Sequence, residues 1–226
     1  MEMEDGKSKF KKGTTVVAVK YGDMCVIAAE RQVSGGFSIT TYMKKLRDIN
    51  EYVVAGGAGT VGDIQMLFRI VSEEADLYRL NTKKIMTADV AATKFSNVSR
   101  GAYGEFIIAG KNRDGVGIYL VDGAGAKLPL DDKKDKILPL EYQCNLFATG
   151  SGQDNAISIL DKGYRELHKK EKVSEDDLAK LAADAIYAAA VRNMGCGGSI
   201  DLYLIDGKGK KKEYSWERIK ELLEVS

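Results

Sequence analysis

Gly13-Thr14-Thr15-Val16-Val17-Ala18-Val19 is the stretch from which the rest of the chain is read. A glycine stands before a threonine, and the threonine opens a β-branched run. Inside a chain, Thr14 would be a poor nucleophile. As the first residue of a processed chain it would carry a free α-amine beside its own hydroxyl. Such an amine titrates near pH 7.7–8.0, close to where a general base works best at neutral pH, and an N-terminal threonine paired with its amine is an established nucleophile design. Taken alone, the tripeptide favours the plainer reading, a turn into a β-branched strand, so the case for a nucleophile has to come from the remainder of the chain.

Outward from that stretch, residues 15–20 and 24–29 alternate as two strands around Tyr21-Gly22-Asp23, a hairpin signal. Ser34-Gly35-Gly36 reads as a bend, residues 37–42 as β-prone, and Tyr52-Val53-Val54-Ala55 as a short buried strand closed by Gly56-Gly57-Ala58-Gly59. The period then changes. Ile64, Leu67, Phe68, Val71, Ala75 and Tyr78 recur at helical spacing over 61–80, and Ala88, Ala91, Ala92, Phe95 and Val98 do so over 87–100. Strands are predicted at 105–110, 117–122, 145–149, 199–205 and 211–214, and helices at 153–168, from the cap Ser174-Glu175-Asp176-Asp177 to about 191, and at 216–225. Blocks of strands alternating with pairs of helices predict an α+β fold: two antiparallel sheets face to face with a helix pair over each outer face, a four-layer αββα sandwich.

The chain of 226 residues fits one large domain, here taken as residues 14–226 behind a leader of residues 1–13. The net charge of +1 gives no bulk field toward nucleic acid or a membrane, and no run of 18 apolar residues occurs. Cys25, Cys144 and Cys196 are odd in number and widely spaced, which suits reduced thiols in a cytoplasmic protein. With His168 as the single histidine, a His-dependent triad or multi-His metal site is nearly excluded. The leader Met1 to Lys12 has no apolar centre and is not a secretory signal; it reads as disordered or as a removable pro-segment. The basic cluster Lys208 to Lys212 reads as a solvated hairpin, and Tyr103 and Tyr119 as strand packing.

Several short motifs follow one another along the chain: Gly13-Thr14-Thr15, Ala28-Ala29-Glu30-Arg31, Met43-Lys44-Lys45-Leu46, Ala58-Gly59-Thr60-Val61-Gly62-Asp63, Ala148-Thr149-Gly150-Ser151-Gly152, and Arg192-Asn193 followed by Gly198-Ser199-Ile200-Asp201. As an ordered set over residues 13–205 they resemble the β-type subunits of the archaeal 20S proteasome, N-terminal-nucleophile (Ntn) hydrolases of the threonine protease family T1. The opening also resembles the bacterial HslV protease. The resemblance implies Thr14 as nucleophile, Lys45 as the cation that lowers its hydroxyl pKa, Glu30 as the partner of Lys45, and the Gly59 N–H as oxyanion donor. Ser151, Asn193 and Cys196 would surround the Thr14 amine. Two of these depart from the family pattern, which has Asp where Asn193 stands and Ser where Cys196 stands.

The resemblance further implies self-cleavage after Gly13, and a substrate pocket with Gly57 as its floor and Val33, Met43 and Val61 as apolar walls. Gly57 would leave it deep enough for large apolar side chains. No cofactor and no metal are implied. The implied partners are a seven-membered β ring of one or several β-type subunits, α-type subunits, an ATP-dependent unfoldase and unfolded protein substrates. Asn193 keeps open a second expectation, a catalytically inactive ring member. A third comes from Gly57, Gly59 and Gly62, a formal G-x-G-x-x-G that opens a helix as in dinucleotide-binding proteins. That fingerprint needs a following parallel strand, and residues 81–86 make a poor one.

Overall fold

The computed structural model describes residues 14–34, 40–128 and 145–224. The expected cleavage at Gly13, the Gly35-Gly36 bend and Cys144 lie outside the described residues.

β1 (Thr15–Tyr21) and β2 (Met24–Glu30) form the anticipated hairpin. β1 also pairs with β10 (Leu146–Gly150), and β2 with β11 (Ile200–Asp206), which pairs with β12 (Lys211–Glu213). The first sheet therefore runs β10-β1-β2-β11-β12. The second runs β5-β6-β7-β8-β9, from β5 (Leu46–Asp48), β6 (Val53–Gly59), β7 (Gly104–Asn112), β8 (Gly115–Val121) and β9 (Lys127–Leu128). A ribbon of β3 (Gln32–Ser34) and β4 (Thr40–Tyr42) stands apart. Every described ladder is antiparallel.

Strand alternation fixes the layers. Val16 and Ala18 of β1 point inward, where they meet Ile27, Val54, Ile107 and Ile118 between the sheets. Val17 and Val19 point outward onto α3 (Gln153–Leu167) and α4 (Glu175–Arg192), through Leu160, Leu178, Ala182 and Ile186. On the far side, Val53, Ala55, Phe106 and Ile108 pack against α1 (Val61–Thr82) and α2 (Ala88–Val98). The expected αββα sandwich is the fold. A fifth helix, α5 (Trp216–Leu223), buries Ile219 against the first helix layer. At α4 the capping box forms as read, with Ser174 Oγ accepting the Asp177 N–H and the Asp177 carboxylate accepting the Ser174 N–H.

Three expectations change. The glycines after Ala55 do not close a strand: β6 continues through them to Gly59. A Cβ at Gly56 would lie 2.5 Å from Val16 Cγ1, so this glycine admits the facing sheet instead of breaking the strand. Tyr119 is buried in its strand, but Tyr103 is 79% exposed, just before β7. The dinucleotide expectation fails at topology, because both neighbours of β6 are antiparallel and no βαβ unit follows Gly57, Gly59 and Gly62. His168 is exposed where α3 ends, its ring 5.1 Å from that of Tyr21 and 4.9 Å from that of Tyr164.

Candidate active site

Thr14 stands one residue before β1, and the ends of three strands converge on it. Pairing of Thr15 with Gly150 brings up the end of β10, and Ser151 comes next in the chain. Ser151 Oγ accepts the Thr14 N–H at 3.2 Å and lies 3.5 Å from the Thr14 carbonyl oxygen. Gly150 has a φ of +96°, and a Cβ there would sit 2.1 Å from the Thr14 oxygen, so only glycine fits. On the other flank, Glu30 ends β2 and its Oε1 accepts the Thr15 N–H at 3.0 Å.

Glu30 is fully buried and saturated with donors. Besides Thr15 it accepts the N–H of Gln32 at 2.7 Å, the N–H of Gly197 at 3.3 Å and the Lys45 ammonium. Lys45, 2% exposed, donates also to the Gln32 carbonyl oxygen at 2.5 Å. Burial pushes the Glu30 carboxyl up and the Lys45 ammonium down; the opposite charge of each partner resists both movements. Four donors on one carboxylate, one of them cationic, favour the ionised pair.

The loop after α4 closes the site. Asn193 Nδ2 donates to Ser151 Oγ at 3.0 Å, while Asn193 Oδ1 accepts the Gly195 N–H at 2.9 Å. Cys196, 4% exposed, places its sulfur 3.2 Å from Thr15 Oγ1 and 3.7 Å from Ser151 Oγ. Gly59, at the end of β6, has a φ of +145°, and a Cβ there would meet the Tyr103 carbonyl oxygen at 2.2 Å. Gly59 and Thr14 line one cleft of about 560 Å³, together with Glu105, Thr149, Gly150 and Gln153.

The structure thus brings Thr14, Glu30, Lys45, Gly59, Ser151, Asn193 and Cys196 to one end of the sheets. It does not gather the four expected pocket residues on the Thr14 cleft. Val33 lies in the β3-β4 ribbon, and Val61 is half-buried at the start of α1. Met43 lines a neighbouring groove of about 880 Å³ with Leu46, Ile64 and Gln65. Counted from Val53, the alternation of β6 turns position 57 toward the helices. A Cβ on Gly57 would lie 2.8 Å from Ile64 Cγ2 and 3.3 Å from Phe106, so Ile64 fills the space that the glycine leaves.

Two positioning groups were missed. Gln32 ties the site together through its N–H, its carbonyl and its side chain, whose Nε2 donates to the Met194 carbonyl at 3.0 Å. Asp201, 3% exposed, holds Arg31 through Nε at 3.0 Å and Nη2 at 2.5 Å. Both Arg31 and Asp201 stand in the ordered motifs, which was the available signal. Gln32 works mainly through backbone atoms, which side-chain patterns do not report. Among the described residues no group of three or more His, Cys, Asp or Glu side chains could hold a metal ion. No described helix is long and apolar enough to cross a membrane.

A proteasome subunit family profile matches residues 10–133 and 139–205. The chain belongs to the proteasome subunit family. It is 34% identical to proteasome subunit beta 1 of Thermococcus kodakarensis over 94% of this chain and 98% of that protein. Proteasome subunit beta 2 of Pyrobaculum arsenaticum is 33% identical over 89% and 93% of the two chains, and proteasome subunit beta of Methanosarcina thermophila 32% over 90% and 91%. The relatives are β subunits, and the two-sheet sandwich carrying Thr14 at a strand entrance agrees with membership of the β type.

Proposed function

We propose that this β-type chain is a threonine endopeptidase subunit of a 20S core particle that degrades unfolded proteins to peptides. The observation that carries the proposal is the junction at Thr14-Thr15, where the Thr15 N–H, the Lys45 ammonium and two further backbone donors meet on the buried Glu30 carboxylate. A saturated, buried ion pair held against the residue after Thr14, which itself lines an open cleft, is an electrostatic site that a surface turn would not need.

In the mechanism, the Thr14 hydroxyl adds to the Gly13 carbonyl, and the Gly13–Thr14 C–N bond breaks as the proton passes to the Thr14 nitrogen. Water hydrolyses the resulting Gly13 ester on Oγ, releasing residues 1–13 with a carboxyl end and leaving Thr14 with a free amine and a free hydroxyl. For each substrate the Thr14 amine takes the hydroxyl proton as Oγ bonds to the scissile carbonyl carbon. The Lys45 charge stabilises the developing alkoxide, and the Gly59 N–H receives the oxyanion. The amine returns its proton to the leaving peptide nitrogen, and water then cleaves the acyl ester to regenerate Thr14. Gly has no side chain to obstruct the first step. The subunit works in a seven-membered β ring, alone or with another β-type chain, stacked on α-type rings in the cytoplasm and fed by an ATP-dependent unfoldase.

A second reading, a structural ring member without activity, is favoured by Asn193, a carboxamide in place of the family's carboxylate. N-terminal analysis of assembled particles separates the two. Chains that begin at Thr14, with fluorogenic peptide turnover lost in Thr14→Ala, support the protease. Complete particles whose chains retain residues 1–13 support the structural subunit.

A further inference from the structure

The carboxamide at position 193 has a defined orientation, and the orientation has a chemical consequence. Asn193 follows α4 in an extended conformation (φ −126°, ψ 111°). Its Oδ1 is taken by the Gly195 N–H at 2.9 Å, which leaves Nδ2 to face Ser151 Oγ at 3.0 Å. Ser151 Oγ also accepts the Thr14 N–H at 3.2 Å. A hydroxyl has two acceptor positions and one hydrogen. Both acceptor positions are occupied, and the hydrogen is directed at the Thr14 carbonyl oxygen (3.5 Å) or the Cys196 sulfur (3.7 Å).

Once the bond before Thr14 is cut, its nitrogen becomes an amine. The neutral amine carries a lone pair and the ammonium does not. A carboxylate at position 193 would accept the Ser151 hydrogen, leaving Ser151 only lone pairs for the nitrogen and adding negative charge nearby. Both effects favour the ammonium. The carboxamide does the reverse: it donates, so the Ser151 hydrogen stays available to the amine lone pair. Ser151 also stands next to Gly152, the N-cap of α3, and the positive end of that helix disfavours an ammonium.

We infer that Asn193 is a positioning residue that acts through Ser151 to keep the Thr14 amine neutral, and therefore able to accept a proton, at lower pH than a carboxylate in its place would. The inference rests on Thr14 being the processed nucleophile. The other charged groups around the amine come from every flanking element. Glu30 and Lys45 compensate each other on the β2 side. The Cys196 thiol closes the loop after α4. Glu105 and Asp122 line the cleft from the second sheet. Asp154 on α3 and Arg192 at the end of α4 are exposed. Glu105 and Asp122 are present in every variant, so they cancel in a comparison at position 193.

The test is kcat/KM against pH, from about 5 to 9.5, for the assembled wild type, Asn193→Asp and Asn193→Ala, using a fluorogenic peptide. Asn193→Asp moves the acid limb upward by about one pH unit, the lower end of the shift produced by a nearby charge, with a plateau equal to or above that of the wild type. Asn193→Ala, which removes the donor without adding a charge, lowers the rate at all pH values and moves the limb upward by less than Asn193→Asp does. A limb unmoved in Asn193→Asp, or moved equally in Asn193→Ala, overturns the inference while leaving Thr14 as nucleophile. If Asn193→Asp does not assemble, the wild type decides: the pH dependence of acetic anhydride labelling of the Thr14 amine, resolved by mass spectrometry, gives its pKa. A value well below the usual 7.7–8.0 supports the inference, and a value at or above that range overturns it. Active particles in which no chain begins at Thr14 remove the underlying proposal as well.

Discussion

Glu30→Ala strips the site of its central acceptor, and the structure sets the size of the effect. The carboxylate is fully buried and holds three peptide N–H groups, at 2.7, 3.0 and 3.3 Å, as well as the Lys45 ammonium. Lys45, 2% exposed, then keeps the Gln32 carbonyl at 2.5 Å and loses its counter-charge. Removing one partner of a buried pair costs about 3–5 kcal/mol, and the stranded N–H groups keep the value at the upper end of that range. Lys45→Ala costs less, about 2 kcal/mol, because three donors still satisfy the carboxylate. In the double variant no ammonium remains to be stranded, so its cost falls short of the sum by about 2 kcal/mol, the coupling expected of contacting groups. Urea unfolding of the full chain, with all four proteins at matched protomer concentration, measures this. At an m-value of about 2–3 kcal/mol/M, Glu30→Ala lowers the midpoint by roughly 1.5–2.5 M. Single costs that add to within about 0.5 kcal/mol, or a Glu30→Ala midpoint equal to the wild type, would refute the assignment of a coupled, ionised pair.

Gly150→Ala forces a Cβ to within 2.1 Å of the Thr14 oxygen at a φ of +96°; it should lose about 1–3 kcal/mol and at least tenfold in peptide turnover. Gly22→Ala, at φ +56° with nothing within 4 Å, is the control, expected to lose about 1 kcal/mol and no turnover. The Cys25 thiol is pushed up to about 12 by burial, so peptide mapping after iodoacetamide at about pH 8 should find Cys25 unmodified in the folded protein and alkylated only after denaturation. Asp177 is held down to about 2 by the Lys170 ammonium and the Ser174 cap. A depressed carboxyl stabilises the fold above its ordinary value of 3.8 and loses that contribution as pH falls through about 2. The stability gap between wild type and Asp177→Asn, open at neutral pH, should therefore narrow from about pH 4 and close near pH 2 in unfolding experiments.

The layer order was legible because the hydrophobic period switches between two and 3.6 at element boundaries. Ile64, Leu67, Phe68, Val71 and Ala75, read as one helical face, are all buried against the second sheet. What escaped was governed by contacts distant in the chain. The glycines at 56 and 57 look like breakers locally, but their missing side chains are matched to Val16 and Ile64. β5 was hidden because Leu46–Asp48 has one buried residue and borrows its strand conformation from β6. The site shows the same division. Thr14, Glu30, Lys45, Ser151, Asn193 and Cys196 could be picked out as an ordered set of motifs, since each is a side chain. The pocket could not, because it depends on strand parity: position 57 shares its face with Val53 and Ala55, which sends it into the helix layer. The direction of the Asn193 amide was equally out of reach, since a backbone N–H, that of Gly195, decides it.

The position of Thr14 also follows from that architecture. Val16 to Val19 have no exposure, so β1 is fixed by both sheet partners and by the layers on either side. Its register with β10 and β2, together with the pairing of Ile200 with Glu30, lines up several strand ends at one rim. Thr14 lies one step beyond the last locked residue. There the Ser151 hydroxyl holds its N–H and the Glu30 carboxylate holds the next one. These contacts exist in a chain whose Thr14 nitrogen is still a peptide nitrogen. Cutting before Thr14 would change the charge and basicity of that nitrogen without calling for new strand pairing. A rigid strand end would therefore suit the proposed nucleophile: the pairing of β1 does not depend on a cut, and the Gly13–Thr14 bond precedes β1.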